Sequence, residues 1–96
     1  MTKGNETRDI AIRVLLAIEK GEAFSSQMIN KAIGESKQSI DDRDQRFLRE
    51  LVYGVLENKL YLSYLINQVA NRKIEKLKRP VRQILLLASY ELFLLS

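Results

Sequence analysis

Apolar residues recur at spacings of three and four along almost the whole chain, and no stretch alternates with a period of two. Spacing of that kind lines one face of an α-helix and argues against strands. The pattern predicts a first helix over Thr7–Glu19, with Ile10, Val14, Ala17 and Ile18 on its inner stripe and Gly21 as a stop signal. A second helix opens at Ser25, a natural N-cap, with Phe24 placed to staple onto Ile29. It buries Met28, Ile29, Ala32 and Ile33 and stops near Gly34, and the polar run Glu35 to Ser39 follows as a loop.

A third helix starts at Asp41-Asp42, where carboxylates suit both the free amides and the positive end of the helix dipole. Its stripe is Phe47, Leu48, Leu51, Val52, Val55 and Leu56. Gly54 lies inside this helix and costs it about 1 kcal/mol relative to alanine, so it is expected to admit another helix at close range. Asn58 marks a break. The fourth helix carries Leu62, Leu65, Ile66, Val69 and Ala70, and Pro80 opens a fifth, because a first turn tolerates a missing N–H.

The fifth helix has the least polar surface. At about 100° per residue, Val81, Ile84, Leu85, Ala88, Leu92 and Leu95 share one broad face, which is the expected core face. Leu86 and Phe93 nevertheless fall within about 40° of Arg82 on the opposite side. A helix apolar nearly all round belongs in the middle of a protein. The expectation is a compact all-α bundle of five helices, four of them wrapped around this apolar C-terminal helix. Residues 1–96 read as a single domain, the front part of a longer protein with its closing helices absent.

Composition narrows the chemistry. Cysteine and histidine are both absent, which removes thiolate nucleophiles, disulfides, the usual general base and the commonest zinc ligands. The glycines are isolated at positions 4, 21, 34 and 54 and form no phosphate-cradling loop. Asp41-Asp42 is read as a helix cap rather than an acid–base pair. No catalytic residues, metal site or cofactor site are therefore expected in this chain. The start, Met1 to Glu6, lacks the apolar stretch of a secretory signal. Val81–Leu95 is interrupted by Arg82, Gln83, Ser89 and Glu91 and is shorter than the ~20 apolar residues of a membrane span. A cytoplasmic protein without a membrane partner is the expectation.

The net charge is +4, and one segment carries the surplus. Arg72, Lys73, Lys76, Lys78, Arg79 and Arg82 stand there against a single acid, Glu75. A focused cationic patch is the footprint of a protein that meets phosphate, although solvated surface lysines are the plainer alternative. Tyr53, Tyr61, Tyr64 and Tyr90 could stack on bases, but at helical spacing among leucines they are expected at the core or its edge.

Four stretches belong together. They are Arg8-Asp9-Ile10-Ala11-Ile12-Arg13-Val14-Leu15, Ala23-Phe24-Ser25-Ser26, and Phe47-Leu48-Arg49-Glu50-Leu51-Val52-Tyr53-Gly54-Val55-Leu56. Leu77-Lys78-Arg79-Pro80-Val81-Arg82-Gln83-Ile84-Leu85 completes the set and runs on to Tyr90-Glu91-Leu92. In this order they resemble the NusB-like family, and most of all the RNA-binding N-terminal domain of bacterial ribosomal-RNA cytosine-C5 methyltransferases. The Ala23-Phe24-Ser25-Ser26 turn and the Leu51-Val52-Tyr53-Gly54 run look more like the methyltransferase branch than the stand-alone antitermination factors. The chain departs from the family pattern in three places. Gln45 stands where the family has arginine, although Asp42-Arg43 precedes it; Leu62-Ser63 replaces a Leu-Asp pair; and Leu86 stands at a common arginine position.

The resemblance implies a helical bundle that binds ribosomal RNA, with S-adenosylmethionine held in a separate catalytic domain. It points to Arg8 and Arg13 as RNA contacts, with Glu6 or Asp9 as their ordinary surface partners if they are not. The charge distribution points instead to Arg72, Lys73, Lys76, Lys78 and Arg79. Two other readings stay open: a NusB-type transcription antitermination factor, and a protein–protein module that docks another protein or a second copy through its fifth helix.

Overall fold

The computed structural model describes residues 3–21, 25–35 and 40–95. Its helices are α1 (Lys3–Glu19), α2 (Ser25–Glu35), α3 (Asp42–Glu57), α4 (Lys59–Val69) and α5 (Arg79–Phe93), with a 3₁₀ turn at Ile74–Lys76 between the last two. No strand occurs among the described residues. The helical periodicity is thus realised, with α1 starting four residues before its expected Thr7. The 3₁₀ turn has no counterpart in the apolar pattern. The Phe24 staple and the segment 36–39 lie outside the described residues, and α2 begins at Ser25 itself.

The punctuation works as its chemistry dictates. Gly21 takes φ 79°, a left-handed conformation that favours glycine, and its amide donates to the Ile18 carbonyl at 2.9 Å, closing α1. Asp41 accepts from the Asp44 amide at 2.8 Å and caps α3. Asn58 ends α3 and starts α4, its Nδ2 donating to the Gly54 carbonyl at 2.8 Å. Pro80 sits in the first turn of α5.

The core draws Ile10, Ala11, Val14 and Leu15 from α1, Ile29 from α2, and Leu48, Leu51, Val52 and Val55 from α3. Leu62 and Ile66 join from α4 and Leu86, Leu87 and Tyr90 from α5, while α1 packs against α2, α3 and α5. Gly54 makes room for Tyr90: a Cβ at that position would fall on the tyrosine ring. Burial, then the charges of Glu50 and Glu57, raise the Tyr90 phenol above its ordinary pKa of 10.0, so it packs as a neutral ring.

Three expectations differ from the structure. The buried face of α5 is Gln83, Leu86, Leu87 and Tyr90, whereas Val81, Ile84, Ala88 and Leu92 are exposed, Leu92 at 75%. Leu85 and Leu95 lie at the edge. Periodicity could not orient a helix with apolar side chains all round; the Tyr90–Gly54 fit and three ion pairs to α1 orient it. On α4, Val69 and Ala70 are exposed because the helix ends there and the chain turns away. Tyr61 and Tyr64, expected near the core, are 52% and 59% exposed, opposite Leu62 and Ile66.

Candidate nucleic-acid interface

The segment from Asn71 to Lys78 would be an open loop on composition alone, yet it is pinned at several points. Ile74, 1% exposed, plugs into the core in the middle of the cationic run, a burial worth about 1.5–3 kcal/mol. The Ile74 amide donates to Asn67 Oδ1 at 2.9 Å, tying the turn to α4. Lys76 N donates to the Lys73 carbonyl at 3.0 Å and Leu77 N to the Ile74 carbonyl at 3.1 Å. With Ile74 pointing in, Arg72, Lys73, Lys76 and Lys78 point out, all exposed. Among the described residues no carboxylate lies within ion-pair distance of any of the four.

The two arginines that follow are engaged. Arg79 Nε lies 3.5 Å from Glu19 Oε1, with the arginine about half exposed. Arg82 donates through Nη2 to Glu19 Oε1 at 3.2 Å and through Nη1 to the Glu75 carbonyl at 3.2 Å. Its Nε is buried 3.2 Å from Glu19 Oε2 but makes no hydrogen bond there. Gln83, itself buried, donates to the same oxygen at 2.7 Å. Glu19 was not singled out by the sequence. Its one signal is position: an acid in the last turn of α1, where the helix dipole favours a cation.

Arg8 and Arg13 stand apart from this cluster. Arg8 Nε donates to Glu91 at 2.8 and 3.1 Å, and its guanidinium lies 5.6 Å from the centre of the Phe47 ring. Its partner is therefore on α5, 83 positions away, rather than the neighbouring Glu6 or Asp9. Arg8 pairs with the far end of α5 and Glu19 with the near end, so α1 and α5 run antiparallel. The rise of the helix then separates Arg8 from Glu19 by about 16 Å. Arg13 is exposed and makes no ion pair among the described residues. The structure thus brings Arg72, Lys73, Lys76, Lys78 and Arg79 together at one end of α1 and leaves Arg8 at the other.

A helical bundle with an anchored cationic turn leading into a proline-started helix defines the class: the chain belongs to the NusB family, whose model matches residues 5–96. It is 36% identical over 90 residues to the probable ribosomal RNA small subunit methyltransferase B of Bacillus subtilis, covering 94% of this chain and 20% of the relative. It is 33% identical over 85 residues to the corresponding probable enzyme of Synechocystis, covering 88% and 19%. Against the ribosomal RNA small subunit methyltransferase B of Salmonella enteritidis it is 29% identical over 93 residues, covering 96% and 20%. The chain spans about a fifth of the length of these relatives and corresponds to their N-terminal part. No solved structure gave a significant match. No helix among the described residues is long and apolar enough to cross a membrane.

Proposed function

We propose that this domain binds RNA in the cytoplasm and positions structured ribosomal RNA for an S-adenosylmethionine-dependent cytosine-C5 methyltransferase. The observation that carries the reading is the set of four cations held outward, beyond ion-pair distance of any described carboxylate, on a turn pinned by a buried isoleucine. Membership of the NusB family supports RNA binding, and the names of the relatives support the methyltransferase branch over antitermination. Exposed cations of this kind grip phosphates and read shape; they do not read bases. In this reading S-adenosylmethionine is held by a separate catalytic domain, which carries out the methyl transfer.

Gel shift with a small-subunit ribosomal-RNA hairpin tests the reading. Affinity is expected to fall at least tenfold between about 50 and 200 mM salt, as counterion release by several phosphate contacts requires. Binding that ignores salt, or no binding at low salt, defeats it.

The exposed stripe Val81, Ile84, Ala88 and Leu92 on α5 favours a second role as a protein contact surface. A second copy of the chain is its simplest occupant. Sedimentation at protein concentrations on the order of tens of micromolar is expected to show a dimer or larger species; a clean monomer rules this out.

A further inference from the structure

We propose that Glu19 is a positioning residue for the RNA grip: its carboxylate, at the end of α1, holds the cationic turn in its binding shape through Arg82. This rests on the RNA-binding reading above and adds a residue that charge alone would count against binding. The Glu19 side chain is 15% exposed, accepts hydrogen bonds from Arg82 and Gln83, and lies within ion-pair distance of Arg79. Arg82 completes the link, because the guanidinium that meets Glu19 also donates to the Glu75 carbonyl inside the 3₁₀ turn. From the other side, Asn67 on α4 receives the Ile74 amide. The turn bearing Lys73, Lys76 and Lys78 is thereby held between two helices by one carboxylate, one guanidinium and one amide.

The geometry explains two placements that are otherwise unfavourable. An acid in the last turn of a helix opposes the dipole, and an acid beside a phosphate-binding surface repels the ligand. Both are offset if the carboxylate fixes the cations that meet the phosphates. Arg79 and Arg82 then divide the labour with the free cations, since they shape the turn while Arg72, Lys73, Lys76 and Lys78 face outward.

The sign of the effect separates this from plain electrostatics. Glu19→Gln raises the net charge by one, so a charge-only surface binds RNA more tightly. Under the proposal the glutamine keeps one acceptor oxygen but loses the charge and turns an N–H toward the second of its two donors, Arg82 or Gln83, so the link weakens and affinity falls. The expected loss for a ribosomal-RNA hairpin is about tenfold, with the slope of log affinity against log salt shallower by roughly 0.7–0.9, one phosphate contact. Glu57→Gln, the same charge change on exposed α3 surface away from the turn, is expected to bind slightly tighter. Arg82→Lys keeps the net charge and cannot span both partners, so it is expected to weaken binding as Glu19→Gln does. It also serves if Glu19→Gln does not fold.

A second measurement needs no RNA. Trypsin cleavage after Lys73, Lys76 and Lys78, well below the melting temperature, is expected to be several-fold faster in both variants than in the wild type. Unchanged cleavage overturns the proposal whatever the RNA result. Faster cleavage with RNA binding as tight as wild type overturns it too, because the shape of the turn would then not matter to the ligand. If the wild type itself fails to bind RNA, the RNA reading falls, while cleavage still decides whether Glu19 holds the turn.

Discussion

Gly54→Ala is expected to destabilise the domain by about 2 kcal/mol, lowering the melting temperature by roughly 8–16 °C in a chain of this size. On an exposed helix the same change would gain about 1 kcal/mol, because glycine is a poor helix former. Here the added methyl meets the Tyr90 ring, which is buried where α5 crosses α3. The ring can move only by surrendering its own burial or by pushing the two helices apart. Overpacking of this kind costs about 1–3 kcal/mol and outweighs the propensity gain when the neighbour is a rigid aromatic ring. Thermal melts of Gly54→Ala, Tyr90→Ala and the double variant test the cause. The glycine change should be nearly harmless once the ring is gone, giving a coupling of at least about 1 kcal/mol. Additive effects would show that Tyr90 is not what Gly54 accommodates.

Replacing Arg72, Lys73, Lys76 and Lys78 together with alanine is expected to weaken binding of a ribosomal-RNA hairpin roughly 100-fold at low salt, with the salt slope shallower by about 3. Stability should hardly move. All four side chains are exposed and lie beyond ion-pair reach of any described carboxylate, so their removal breaks no ion pair among the described residues. Surface changes of that sort usually stay within about 0.5 kcal/mol each. Arg79 is left in place deliberately, because it lies 3.5 Å from Glu19 and its loss would mix shape with charge. A quadruple variant that binds as well as the wild type would move the interface elsewhere, with the exposed Arg13 as the next place to look.

Much of this architecture was legible from local chemistry. The stripes of α1 and α3, the Asp41 cap, the Gly21 stop, the Asn58 break and the Pro80 start all follow from rules that act within one or two helical turns. Gly54 could be recognised as a close-approach site because a glycine inside a strong helix needs a reason. Its occupant could not be named, since Tyr90 meets it only when α5 crosses α3. The same limit produced the misassigned face of α5. Nearly every side of that helix is apolar, so periodicity offered no contrast, and the burial of Gln83 beside an exposed Leu92 ran against hydrophobicity.

The candidate site divides along the same line. Its cationic residues were countable in the sequence, but count says nothing about which charges are free. Arg8 is committed to Glu91 and Arg82 to Glu19, partners 83 and 63 positions away. By itself, the sequence determined the helical class, the element boundaries that depend on caps and breakers, the family and the location of the positive charge. Only the tertiary structure decided which face of α5 is buried, which cations remain unpaired and how the turn that carries them is held. The reason is range: helix propensity and capping are interactions between near neighbours in the chain. Burial and ion pairing are settled by residues that meet only after the helices have packed.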